Sequence, residues 1–126
     1  MKEQINKVKE FHDSFNQVNA YSPTLVSEEV YKLRYDLIVE ETEEYLEACQ
    51  NKDLIGIADA LGDQLYILCG TILKHGLQHV IEDVFTEIHN SNMSKLGEDG
   101  KPIYREDSKI LKGPNYFKPD LSKFIK

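Results

Sequence analysis

The 126-residue sequence is short of the residues that would staple a chain or hold a soft metal. There are two cysteines, Cys49 and Cys69, both in segments of helical apolar spacing. No CxxC or paired His/Cys spacing accompanies them, so neither zinc nor dithiol chemistry is indicated and both read as reduced core residues. No apolar run approaches the ~20 residues of a membrane span. Met1-Lys2-Glu3-Gln4 opens a polar helix rather than a signal-peptide core, so a cytoplasmic protein with no membrane partner is expected. Positive charge is also scarce: 15 Lys and Arg against 22 Asp and Glu leave −7, with acids concentrated between Glu28 and Glu47. That balance argues against a nucleic-acid partner. Internal repeats and low-complexity runs are absent, and the length suits a single domain over residues 1–126 with a sizeable core.

What is present is helical periodicity. Ile5, Val8, Phe11, Phe15 and Val18 make an apolar stripe that predicts a first helix over about Lys2 to Asn19, with His12 beside the stripe as a packing residue. Ala20-Tyr21-Ser22-Pro23-Thr24 breaks it, because the residue before a proline is pushed out of the helical region. Ser27 is placed to cap a second helix running to about Asn51, with Glu28 and Glu29 in its first turn. Leu54 to His75 is apolar nearly all round and reads as a central helix, ended by Gly76. A fourth helix is expected from about Leu77 to Ser91, carrying Val80, Ile81, Val84, Phe85 and Ile88. Pro102 to Lys112 is short enough for a β-hairpin around Glu106-Asp107-Ser108. The architecture predicted is all-α, a bundle of four to five helices with an extended C-terminal arm over residues 92–126. So many apolar faces exceed what one thin bundle can hide, which predicts a homodimer or homotetramer.

One stretch breaks the pattern. In the second helix the stripe Val30, Leu33, Leu37, Glu41, Glu44, Ala48 puts two glutamates where apolar residues belong, with Glu40 flanking them. The third helix carries Asp59 and Asp63 in apolar surroundings. Antiparallel pairing across Gln50 to Asp53 would set these acids opposite one another. Buried carboxylates repel and are desolvated, so they must take up protons or bind cations. Oxygen-only donors without His or Cys favour a hard ion, Mg²⁺ or Mn²⁺, of the kind used in phosphate chemistry.

The pattern Glu40-Glu41-x-x-Glu44 followed by Asp63 resembles the all-α nucleoside triphosphate pyrophosphohydrolases, a superfamily that includes the MazG, dimeric dUTPase and phosphoribosyl-ATP pyrophosphohydrolase families. Their usual pattern is ExxE, a spacer, then ExxD. Glu41, Glu44 and Asp63 fill three positions, and the fourth falls on Ala60, with Asp59 one residue earlier as a substitute. Residues 57–76, Asn92 to Leu96 and Lys109 to Pro114 are similar to a subgroup with small phage-like and bacterial members. The resemblance spans roughly residues 24–121.

It implies a fold, a reaction and a set of roles. The reaction is hydrolysis of a nucleoside triphosphate to the monophosphate and pyrophosphate, with Mg²⁺ as cofactor and Mn²⁺ as a substitute. Glu41, Glu44 and Asp63 would hold metal, Asp59 would add a ligand, and Glu40 would serve as general base or extra ligand. Asn92 and Lys95 would lie near the substrate, Lys95 acting on phosphate. For the tail two readings stand: a surface arm, or a lid whose Lys112 approaches phosphate and whose Tyr116 or Phe117 packs on a base. Arg34 is either an exposed ion pair with Asp36 or Glu28, or a substrate-side brace that orients Glu41 or Glu44. Two alternatives to the reaction remain: a phosphoribosyl-ATP pyrophosphohydrolase, although Ile67 stands where those enzymes have a histidine after the tyrosine, and an inactive helical interaction module in which Ala60 marks a lost ligand.

Overall fold

The computed structural model describes residues 1–126 and contains four helices and no strand: α1 (Lys2–Ser14), α2 (Glu28–Gln50), α3 (Leu54–Lys74) and α4 (Ile81–Met93). The chain is all-α, as its periodicity predicts. It divides into two compact units, Met1–His79 with α1 to α3, and Val80–Lys126 with α4 and the tail.

In the first unit α3 is central, packing against both α1 and α2. Its buried residues Ala60, Cys69, Ile72 and Leu73 join Ile5 and Val8 of α1 and Ala48 of α2 as the apolar core. Small residues bring α2 and α3 together at the turn: a Cβ built on Gly56 would lie 3.2 Å from the Ala48 Cβ. By length and mean hydropathy, 1.2, α3 matches a membrane span, which the sequence reading had not allowed for. It carries Asp59 and Asp63 and packs on two helices, while 22% of its apolar window is buried.

The helix ends follow from local chemistry. The Ser27 hydroxyl accepts from the Val30 amide at 3.4 Å, capping α2 as expected, and the Asp53 carboxylate accepts from the Gly56 amide at 3.0 Å, capping α3. Three helices then close with a residue in the left-handed region just past the end: Asn16 (φ 58°), Lys52 (φ 54°) and Gly76 (φ 65°). After α2, the Lys52 amide donates to the Cys49 carbonyl and the Asp53 amide to the Ala48 carbonyl; after α3, Gly76 and Leu77 repeat the pattern on Leu73 and Ile72. These are Schellman closures. Asn16 stops α1 at Ser14, five residues before the end expected at Asn19, because asparagine tolerates this conformation and the chain then folds back. The Asn19 side chain meets His12 Nδ1 at 2.6 Å, and Lys74 Nζ donates to the Val18 carbonyl at 2.9 Å.

Arg34 ties α2 to α3 rather than pairing with Asp36, Glu28 or the glutamates. Its Nε donates to the Thr71 hydroxyl at 3.0 Å and its Nη2 to the Ile67 carbonyl at 2.6 Å, both on α3. Gly70 makes room for it: a Cβ there would lie 2.5 Å from Nη2 and 3.1 Å from His12 Nε2. His12 is buried, and that burial holds its pKa below the usual histidine value, with Lys74 and Arg34 adding to the effect against the Asn19 hydrogen bond.

In the second unit α4 begins at Ile81 rather than Leu77, since residues 77–80 form a turn. The tail folds along α4. Ser91 Oγ donates to the Phe117 carbonyl at 2.8 Å, the Phe117 amide to Ser94 Oγ at 3.1 Å, and the Asp120 amide to Glu87 at 3.0 Å. The expected hairpin is reduced to one antiparallel bridge, Tyr104 with Ile110, flanked by amide bonds from Arg105 to Lys109 and Leu111 to Ile103.

Gly76 should be irreplaceable, since a Cβ would strike the Ser22 carbonyl at a φ that side chains avoid. Gly76→Ala is expected to cost on the order of 3 kcal/mol or more in chemical denaturation. Lys52→Gly, at the equivalent place after α2, should raise stability by about 1 kcal/mol.

Candidate metal centre

The antiparallel α2–α3 pair is joined by only Asn51, Lys52 and Asp53, so residues midway along α2 are carried opposite residues midway along α3. Glu41 and Glu44, three apart, share a face of α2. Asp63 faces them from α3, and one carboxylate oxygen from each of the three lies within 4.8 Å of the others. Beside them Gln64 Nε2 donates to the Thr42 hydroxyl at 3.4 Å, tying the two helices at the same level.

Glu41 and Asp63 are half-buried and Glu44 is exposed, and the Glu41 Oε2 is cut off from solvent without a hydrogen-bond partner. The Glu41 pKa is pushed up to about 7, first by burial, then by the hydrogen bond with the Glu44 carboxyl, then by the charges of Asp63, Glu44 and Glu40. Without a cation, a proton relieves this crowding. A divalent ion would do the same more completely, and a buried oxygen lacking a donor is what such an ion would satisfy. The donor set, three carboxylates with no nitrogen or sulfur, fits Mg²⁺ or Mn²⁺ better than Zn²⁺.

The other residues singled out in the sequence fall in three places. Glu40 and Asp59 are exposed and stand outside the cluster, Glu40 acting on Glu41 through its charge alone. Asp59 lies a full turn before Asp63 on α3, which puts its carboxylate at another level of the helix. Ala60, where the related pattern has glutamate, is 1% exposed. Arg34 is committed to α3, as described above. The remaining four belong to the second unit. Asn92 is exposed in the last turn of α4, and Lys95 is half-buried in the turn after it. Lys112 stacks its ammonium over the Tyr116 ring, 4.7 Å from the centroid. Sequence reasoning missed Thr42, Gln64 and Thr71; Gln64 and Thr71 are half-buried polar residues in the otherwise apolar α3, a readable signal, whereas Thr42 is exposed on α2 and carried none.

A carboxyl whose pKa rises on folding binds its proton more tightly in the folded state. Between about 4.5, its ordinary value, and about 7 the folded protein therefore holds more protons than the unfolded chain, and stability falls as pH rises. In EDTA, thermal unfolding should occur at lower temperature as pH increases across that window. Glu41→Gln should flatten the dependence, and added Mg²⁺ or Mn²⁺ should stabilise wild type most at the upper end.

The phosphoribosyl-ATP pyrophosphohydrolase family, PRA-PH, matches residues 8–92. No curated protein matches the chain. Among solved structures, the chain is similar to a crystal structure of a candidate NTP pyrophosphohydrolase from Exiguobacterium sp. 255-15, with 26% identity, a TM-score of 0.50, and coverage of 92% of this chain and 88% of that one. The matched span takes in α2, α3 and the whole carboxylate cluster. The chain belongs to the phosphoribosyl-ATP pyrophosphohydrolase family, in the superfamily of all-α nucleoside triphosphate pyrophosphohydrolases.

Proposed function

We propose that the protein is a metal-dependent pyrophosphohydrolase that cleaves a ribo- or deoxyribonucleoside triphosphate to the monophosphate and pyrophosphate, in a cytoplasmic role of cleansing the nucleotide pool. The observation that carries this reading is the convergence of Glu41, Glu44 and Asp63 with an unpartnered buried oxygen on Glu41. The family match and the similarity to a candidate NTP pyrophosphohydrolase support it.

Glu41, Glu44 and Asp63 would hold Mg²⁺, with Mn²⁺ as a substitute, and Asp59, a turn away, is left outside the ligand set. When bound, the metal supplies charge neutralisation at the phosphate oxygens. Glu40, exposed beside Glu41, is the carboxylate left to orient water or take its proton. The water oxygen forms a new bond to phosphorus as the α–β bridge breaks, and pyrophosphate and nucleoside monophosphate leave. Asn92, Lys95, Lys112 and Tyr116, all in the second unit, are the further residues proposed for substrate binding, the two ammonium groups being suited to phosphate oxygens.

The family name favours a second reading, phosphoribosyl-ATP as substrate. Against it, Ile67 follows Tyr66 where a histidine is expected in those biosynthetic enzymes. A non-catalytic module is the remaining reading, with Ala60 as its signature. The decisive measurement is release of pyrophosphate and monophosphate from a panel of canonical and modified triphosphates and phosphoribosyl-ATP, with Mg²⁺, Mn²⁺ or EDTA. Wild type should turn over at least one compound in metal and none in EDTA. Glu41→Gln should lose about 100-fold or more, beyond the loss typical of outer-shell partners. Absence of turnover together with absence of a metal-dependent thermal shift would leave the interaction module.

The apolar exposure of the first unit points to self-association. Leu54, Ile55, Leu61, Leu65 and Leu68 of α3 and Tyr31, Leu33 and Tyr35 of α2 are all exposed, Ile55 at 85%. Tyr31, Tyr35 and Leu68 also line an open cavity of about 200 Å³ on this face. A second copy of the chain would cover such surface, in a homodimer or homotetramer. Light scattering should return two or four times the 14.5 kDa chain mass, and Leu68→Asp with Leu61→Asp should return one.

A further inference from the structure

The carboxylate cluster accounts for the phosphate end of a substrate and leaves the base without a seat in the first unit. On the same face of α3, three residues after Asp63, stands Tyr66; side chains so spaced are neighbours with Cβ atoms about 5–6 Å apart. Tyr66 does not stand alone. Phe11 of α1 meets it edge-on, with centroids 5.7 Å apart and planes at 84°, and Phe15 lies tilted on Phe11 at 4.5 Å and 31°. The three rings form one continuous aromatic surface.

That surface is open. Phe11 is 42% exposed, Phe15 62% and Tyr66 42%. Ring-on-ring contact holds the patch in shape, while much of each ring stays in water, which is unfavourable unless a ligand covers it. The left-handed residue Asn16 fixes where it ends: α1 stops at Ser14, Phe15 is the last residue before the chain turns, and the His12 to Asn19 contact ties the returning strand of chain behind it. Asp63 and Tyr66 thus put a hard-cation ligand and an aromatic platform next to each other, in the order in which a nucleotide presents its phosphates and its base.

We propose that Phe11, Phe15 and Tyr66 are the platform on which the base of a nucleoside phosphate stacks while its phosphates engage the carboxylate cluster. The inference rests on the pyrophosphohydrolase reading and adds the base-binding half of the site. Stacking on aromatic rings tolerates different bases, because every base has a π-face. The platform therefore favours affinity for nucleotides as a class, and binds inorganic polyphosphate no better than bare carboxylates do.

Phe15 is the residue to change, since its exposure lets it be truncated without opening the core. In Phe15→Ala, KM for nucleoside triphosphates should rise about tenfold with little change in kcat, and Phe15→Tyr should restore it. Inhibition by inorganic pyrophosphate, which has no base, should keep its wild-type constant. Equal weakening of nucleotide and pyrophosphate, a KM within twofold of wild type, or a change of mass in light scattering would each overturn the platform. The last of these would make the patch a subunit contact. If wild type hydrolyses no triphosphate, titration of a nucleoside monophosphate in Mg²⁺ separates the two ideas. Binding that Phe15→Ala loses keeps the platform and discards the reaction, and absence of binding discards both.

Discussion

Three carboxylates, two of them half out of water, held within reach of each other across two helices, set the terms for the rest of the first unit. Left to themselves they repel across α2 and α3, and this repulsion adds to burial in pushing the Glu41 pKa up to about 7. The opposing forces are visible around them. Arg34 reaches from α2 to two acceptors on α3, Thr42 and Gln64 meet at the level of the acids, and Ala48 with Gly56 lets the backbones close at the turn. A half-buried guanidinium tied to neutral acceptors rather than to a carboxylate holds the pair together without neutralising the cluster. The negative charge thus stays available to a cation.

The acid cluster was legible because it violated periodicity. Glu41 and Glu44 occupy apolar positions of α2, and Asp63 interrupts α3, so the mismatch itself announced the site. Asp59 was harder to place from spacing alone: residues four apart share a face, yet they differ by a turn in height, and the cluster spans less than that. Arg34 illustrates the same limit. Its position near the glutamates was readable, whereas its partners, a hydroxyl and a carbonyl released by the absence of a side chain at Gly70, depend on the packing of a helix more than thirty residues away.

Boundaries failed where an ordinary residue took an unusual conformation. Glycine at position 76 advertised its turn. Asn16 and Lys52 occupy the same left-handed region, and nothing in a polar run such as Asn16-Gln17 distinguishes a closing residue from a continuing helix. The tail shows the reverse error. Pro102 to Lys112 was short enough to suggest a hairpin, but an isolated two-stranded ladder is marginal in water, and only the Tyr104–Ile110 bridge forms, while Phe117 and Asp120 further on bond to Ser91, Ser94 and Glu87 of α4.

The connection between α2 and α3 is three residues long, and every member of the carboxylate cluster lies on one or other arm of that hairpin. The cluster is consequently assembled by contacts close in sequence, which form early and at small entropic cost in a folding chain. A cation captured there would act as a clip on a single helical hairpin, able to persist while α1 or the second unit is detached. Local opening elsewhere in the molecule and loss of the ion would then be separate events, and the hairpin would be the part of the chain that evolution can carry intact from one surrounding to another.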